Sequence, residues 1–221
     1  MTENLPALTF TGTLDRAAID AATRVVVDLV ARPEVAAAWD EPSACEGMSV
    51  GALTWHLVNQ PQRAVEVIEG HPGTGPVVSV DQHYAHAAWI QQDLDGPANV
   101  GVRERGETQA LAGPAAAVAA VREASARLGP VLAAAPASVT APWQSLTLST
   151  DDFLVTRLME MVVHSDDLAA SVGLQTPTFP AAVIGPVVTL LTDLALRRHG
   201  QTAVVRTLSR PQRAPESISA F

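Results

Sequence analysis

Lysine is absent: all fourteen basic residues are arginine, and against twenty-three acidic ones they leave a formal charge of -9 over 221 residues. With no basic stripe and no aromatic residues interleaved with cations, neither a nucleic-acid surface nor an anionic lipid surface is expected as a partner. One cysteine, Cys45, excludes an intramolecular disulfide and any cysteine-rich zinc motif. Aromatics are only 4% of the chain, whereas alanine dominates an apolar share of 48%. That mixture suits helices packed through small side chains better than strands, which favour β-branched and aromatic residues. Long hydrophobic runs are also missing. The most apolar stretch, residues 181–191, is followed by Asp193 and falls short of the roughly 18 residues a membrane span needs. Residues 1–6 lack the basic start and apolar run of a signal peptide, so the expectation is a soluble, cytoplasmic protein.

The length fits one large domain with a tail, divided here into a bundle over residues 1–200 and a tail over 201–221. Apolar spacings of three and four predict a first helix over 13–39, with Thr13 as N-cap and an interruption near Pro33. A second is predicted over 50–69 after Ser49, kinked or ended near Pro61, where the ring presses on the Leu57 carbonyl. A short helix is expected over 79–94, and residues 95–107 read as a polar stretch of weak periodicity. A third long helix follows over 108–135, broken at Gly113–Pro114, then a loop over 136–150. The fourth is expected over 151–172, opened by Ser149 or Thr150 with Asp151 and Asp152 and closed at Gly173. The fifth begins at Pro180 and stops at Gly200. Four or five such helices without strand alternation predict an all-α antiparallel bundle.

At 100° per residue, Arg157, Glu160, His164, Asp167 and Ser171 fall in a wedge roughly 80° wide on the fourth helix, whose remaining circumference is mostly apolar. Such a wedge is either the strip of a core helix that reaches solvent or the lining of a polar site. Glu160 and His164, four apart, can reach one ion, and imidazole nitrogen with carboxylate oxygen suits zinc. An open catalytic site needs a third protein ligand. The second helix offers His56, which among Ala52, Leu53 and Leu57 also reads as a hydrogen-bonded core histidine. His83 and His86 form a rival pair without a matching carboxylate, and His71 and His199 have structural explanations at chain turns and helix ends.

Residues 48–58 resemble the W-S/T-V-x-x-L-x-x-H-L segment of the mycothiol-dependent maleylpyruvate isomerase family, within the DinB-like superfamily of helical bundles. Residues 160–169 with Gly173 resemble that family's E-x-x-V-H-x-x-D-L-A…G helix, and the arginine-rich end from Arg197 through Arg213 is similar to that of actinobacterial members. The resemblance implies an antiparallel DinB-like four-helix bundle, with additional short helices and a C-terminal tail, holding one divalent metal, usually zinc. It assigns the ligands to His56, Glu160 and His164.

The function expected is therefore a metal-dependent transferase or isomerase in which mycothiol, or a similar low-molecular-weight thiol, attacks a small electrophile. Because Cys45 lies in neither motif, the sulfur must come from a diffusible thiol. Asp167 is expected to orient an imidazole, and Arg157 to receive a substrate carboxylate. The competing readings are a metal-dependent hydrolase with water as nucleophile and a non-catalytic helical binding protein of the same fold. The chain is expected to act as a monomer or homodimer.

Overall fold

A computed structural model describes residues 5–93 and 95–221; the readings that fall on residues 1–4 and on Leu94 lie outside them. Helix α1, Ala17–Val30, begins later than the cap expected at Thr13. The Thr13 hydroxyl donates instead to the Phe10 carbonyl at 3.0 Å, closing a turn ahead of the helix. Pro33, which suits a first helical turn, opens the separate α2, Pro33–Ala37. Helix α3, Val50–Gly70, is capped by Ser49, whose hydroxyl accepts the Ala52 amide at 3.0 Å.

Pro61 does not end α3. The missing proline amide costs one helical bond, to the Leu57 carbonyl, and packing of α3 chiefly against α6, α7 and α8 outweighs that loss.

The short helix expected over 79–94 is two, α4 (Val80–Ala85) and α5 (Ala88–Gln91). The polar stretch after them is helical, contrary to expectation: α6 spans Pro97–Ala110. Periodicity missed it because α6 buries only Gly106, where a Cβ would stand 3.1 Å from the Ala52 carbonyl of α3. Helix α7, Pro114–Ala133, starts after the break expected at Gly113. The loop expected over 136–150 is also corrected. It contains a hairpin of β1 (Ser138–Ala141) and β2 (Leu146–Ser149), antiparallel, with Ser138 opposite Ser149 and Ala141 opposite Leu146. Strands of four residues are too short to show alternation above the background of a loop.

Helix α8, Thr150–Ser171, starts as expected, with the Ser149 hydroxyl accepting the Asp152 amide at 3.0 Å. It ends before Gly173, whose φ of 69° is the left-handed conformation that closes helices. Helix α9, Ala181–Ser209, is two helical runs joined at a kink: Gly200, with a non-helical φ of 80°, ends the first run at the expected stop, and helical residues resume after it. At the chain end, the Phe221 ring lies 4.9 Å from that of Trp89 and 5.6 Å from that of Tyr84.

Four helices make the bundle. Helix α3 packs on α7 and α8, and α1 packs on the same two, so they close a square around Ile19, Leu53, Leu57, Leu128, Leu154 and Leu158. Helix α6 lies against α3 and α9 against α8. This is the all-α four-helix bundle with additional short helices that the sequence predicts. Among the described residues no helix is long and apolar enough to cross a membrane.

The first turn of α8 ties down the chain ahead of α1. Asp152, 1% exposed, accepts the Phe10 amide at 2.5 Å and the Thr9 hydroxyl at 2.9 Å. Asp151 accepts the Gly12 amide at 2.8 Å and Arg16 Nε at 2.6 Å. Removing the first carboxylate strands a buried amide, a loss of about 1–3 kcal/mol. Asp152→Ala should therefore lower the urea midpoint by a corresponding amount, and an unchanged midpoint would show that the strap contributes nothing.

Candidate metal centre

Helix periodicity stacks Glu160 under His164, and the contact of α8 with α3 brings His56 to both. His56 Nε2 lies 3.2 Å from Glu160 Oε2, and His164 Nε2 lies 3.3 Å from the same oxygen. The two imidazole rings meet edge to face, with centroids 4.6 Å apart and planes at 88°. One donor atom from each of the three residues falls within 4.8 Å of the others. The side chains are 14%, 14% and 21% exposed, so the wedge is largely closed off from solvent.

Asp167 and Cys45 stand behind His164. Asp167 Oδ2 is 2.9 Å from His164 Nδ1, and the Cys45 thiol donates to that oxygen at 3.4 Å while lying 3.9 Å from the same nitrogen. Sequence reasoning left Cys45 out because it sits in a turn 119 residues away from His164, with no spacing to link them. The same loop reaches the last member of the wedge, since the Ala44 amide donates to the Ser171 hydroxyl at 2.8 Å.

Arg157, at the other end of the wedge, is buried at 4% exposure and is not one of the three donors, although its charge helps to hold Glu160 ionised. Its Nη1 donates to Gln60 Oε1 at 2.6 Å and its Nε to the Thr156 hydroxyl at 3.1 Å. Gln60, wholly buried, gives its own amide to the His56 carbonyl at 2.8 Å, so it couples the histidine's backbone to the arginine. The signal for Gln60 was present in the sequence: a polar residue four after His56 on an apolar helix. The Arg157 and Arg63 guanidiniums both lie 5.4 Å from the Trp143 ring centroid. Among the described residues neither has a carboxylate within 4.0 Å.

Electrostatics follow from this packing. Burial opposes charge on Glu160, but hydrogen bonds from His164 and His56 outweigh it and hold the carboxyl well below its ordinary pKa. Burial lowers His56. Burial opposes charge on His164 too, yet Asp167, Cys45 and Glu160 push it well above the ordinary histidine value. Asp167 is burdened by burial and lowered by His164. Burial, then the neighbouring Arg157, brings Arg63 down to about 10. A carboxylate held ionised against two imidazole nitrogens is a donor set that would suit a divalent cation.

The rival pair is not brought together. His83 is buried and its Nδ1 has no hydrogen-bond partner among the described residues, whereas His86 is exposed and its Nδ1 meets the Gln82 carbonyl at 2.8 Å. The neighbouring Tyr84 hydroxyl is likewise buried and unpartnered, and burial, then Glu160, pushes its pKa up. His71 caps the C-terminus of α3, and His199 Nε2 lies 2.8 Å from the Ser219 carbonyl.

In a comparison with known families, residues 19–169 match the model described as mycothiol maleylpyruvate isomerase N-terminal domain. No curated protein and no solved structure matches the chain.

His83 yields a pH prediction. Burial, then Arg157, lowers it from 6.5 to about 4. Between those values the unfolded chain holds the extra proton, so His83 lets stability stand in full above pH 6.5 and withdraws it as pH falls toward 4. The loss is up to about 3 kcal/mol. Urea titrations at pH 7, 5 and 4 should show a shallower decline for His83→Asn than for wild type; parallel declines would rule His83 out as the source.

Proposed function

The chain belongs to the mycothiol maleylpyruvate isomerase N-terminal domain family, and from that premise we propose a metal-dependent transferase or isomerase that joins mycothiol, or a similar small thiol, to a small electrophile. The observation that carries this reading is the convergence of His56, Glu160 and His164 from two helices on one point. These three would hold the ion; two imidazole nitrogens and one carboxylate oxygen suit several divalent metals, and the family resemblance selects zinc among them. A divalent ion there supplies Lewis acidity that stabilises a thiolate at neutral pH.

The remaining steps belong to the chain. Asp167 accepts the Nδ1 proton of His164 and so fixes the ring with Nε2 toward Glu160. The Cys45 thiol is engaged with Asp167, so it supports that carboxylate while the reacting sulfur comes from the diffusible thiol. Arg157, set by Gln60 and Thr156, offers the rest of its planar fork to a carboxylate of the electrophile, with Arg63 adding positive field from across Trp143.

Added zinc should raise the melting temperature of the wild type and leave that of His164→Ala unmoved. Asp167→Ala should keep the effect but need about 10–100 times more metal, the usual penalty for losing a group that orients a ligand. In rate assays the electrophile should be consumed only with the thiol present. Ester hydrolysis at the same rate without any thiol would replace this reading by the hydrolytic one.

A further inference from the structure

Helices α3, α6 and α7 enclose a groove of about 660 Å³ that the metal centre does not use. That volume lies within the ~300–1,000 Å³ of sites that hold a small molecule. Its chemistry is unusual for such a site. Three arginines and three glutamates line it, so formal charge cancels, and no aromatic ring contributes. Asn59, Gln62 and Gln109 add carboxamides, and Asn59 and Gln109 exchange hydrogen bonds across it at 2.9 and 3.2 Å. A balanced wall of this kind gives no net field to select an ion and no flat apolar face to stack a ring. It offers many donors and acceptors, the complement of an uncharged molecule dense in hydroxyls.

The groove and the centre are joined through α3. His56, Asn59 and Arg63 follow one another at spacings of three and four along one face of that helix. From His56 to Arg63 is about 10 Å at 1.5 Å per residue, the span of a cysteinyl arm and one sugar ring. Arg63 belongs to both places, since it lines the groove while its guanidinium shares the Trp143 ring with Arg157, one turn before Glu160.

We propose that this groove seats the hydroxyl-rich part of the thiol cosubstrate, so that its sulfur is directed along α3 to the His56–Glu160–His164 centre; the assignment rests on the thiol-dependent reading above. Mycothiol has the matching form, a cysteine thiol amide-linked to an uncharged glucosamine–inositol unit.

Calorimetry on the zinc-supplemented full chain separates the two claims, with the thiol-free glucosamine–inositol unit, N-acetylated so that it stays uncharged, and N-acetylcysteine as probes. Gln62 is half-buried and Glu123 exposed, so the double variant Gln62→Ala/Glu123→Ala should fold, with circular dichroism as the check. The glucosamine–inositol unit should bind wild type and His164→Ala alike and bind the double variant at least about tenfold more weakly. N-acetylcysteine should do the reverse, losing affinity in His164→Ala and keeping it in the double variant. If the sugar unit fails to bind wild type, or binds the double variant equally well, the groove assignment is overturned. Should that happen while N-acetylcysteine still needs His164, the metal-thiol reading stands without it; N-acetylcysteine indifferent to His164→Ala overturns that reading instead.

Discussion

Glu160 carries its negative charge between two imidazoles, in a place where solvent does little to stabilise it. An isolated ionised carboxylate in such surroundings would neutralise itself by taking up a proton. Here the proton goes instead to His164, because Asp167 and Glu160 flank the two ring nitrogens from opposite sides. The rest of the polar strip follows from that arrangement. Asp167 needs its own support and receives the Cys45 thiol; His56 is anchored through its carbonyl by Gln60, which also fixes Arg157.

Holding two helices at the separation this requires falls to the bundle. Ser149 caps α8 and Ser49 caps α3, so each helix carrying a ligand starts at a defined residue. Asp151 and Asp152 bind the preceding chain to the first turn of α8, which fixes the end of the helix where α1 must pack. Apolar contacts around Leu57 and Leu158 then set the register at which His56 faces Glu160. A polar centre of this kind is stable only when every member is satisfied. His83 Nδ1 and the Tyr84 hydroxyl, buried with no hydrogen-bond partner among the described residues and within the field of Glu160 and Arg157, depart from that rule.

Much of this was legible in the sequence, for reasons that differ by element. The polar wedge of α8 shows itself because four charged or imidazole groups recur at helical spacing on an otherwise apolar helix. Helix caps at Ser49 and Ser149 and the left-handed Gly173 are local chemistry and need no tertiary context. Helix α6 was not legible, since it docks by a glycine and leaves no apolar stripe. The hairpin escaped because its strands span four residues each. The junction of His56 with Glu160 depends on how α3 meets α8 across 104 residues, which spacing cannot show; there the family resemblance, not periodicity, singled out the pair. Cys45 was invisible for the same reason.

Metal content of the protein purified without chelator is the most direct test of the central claim. The account predicts one divalent ion per chain in wild type, and its loss in His56→Ala, Glu160→Ala and His164→Ala variants whose helical circular dichroism is retained. Wild-type protein with no ion above background, or an ion kept by all three variants, would contradict it.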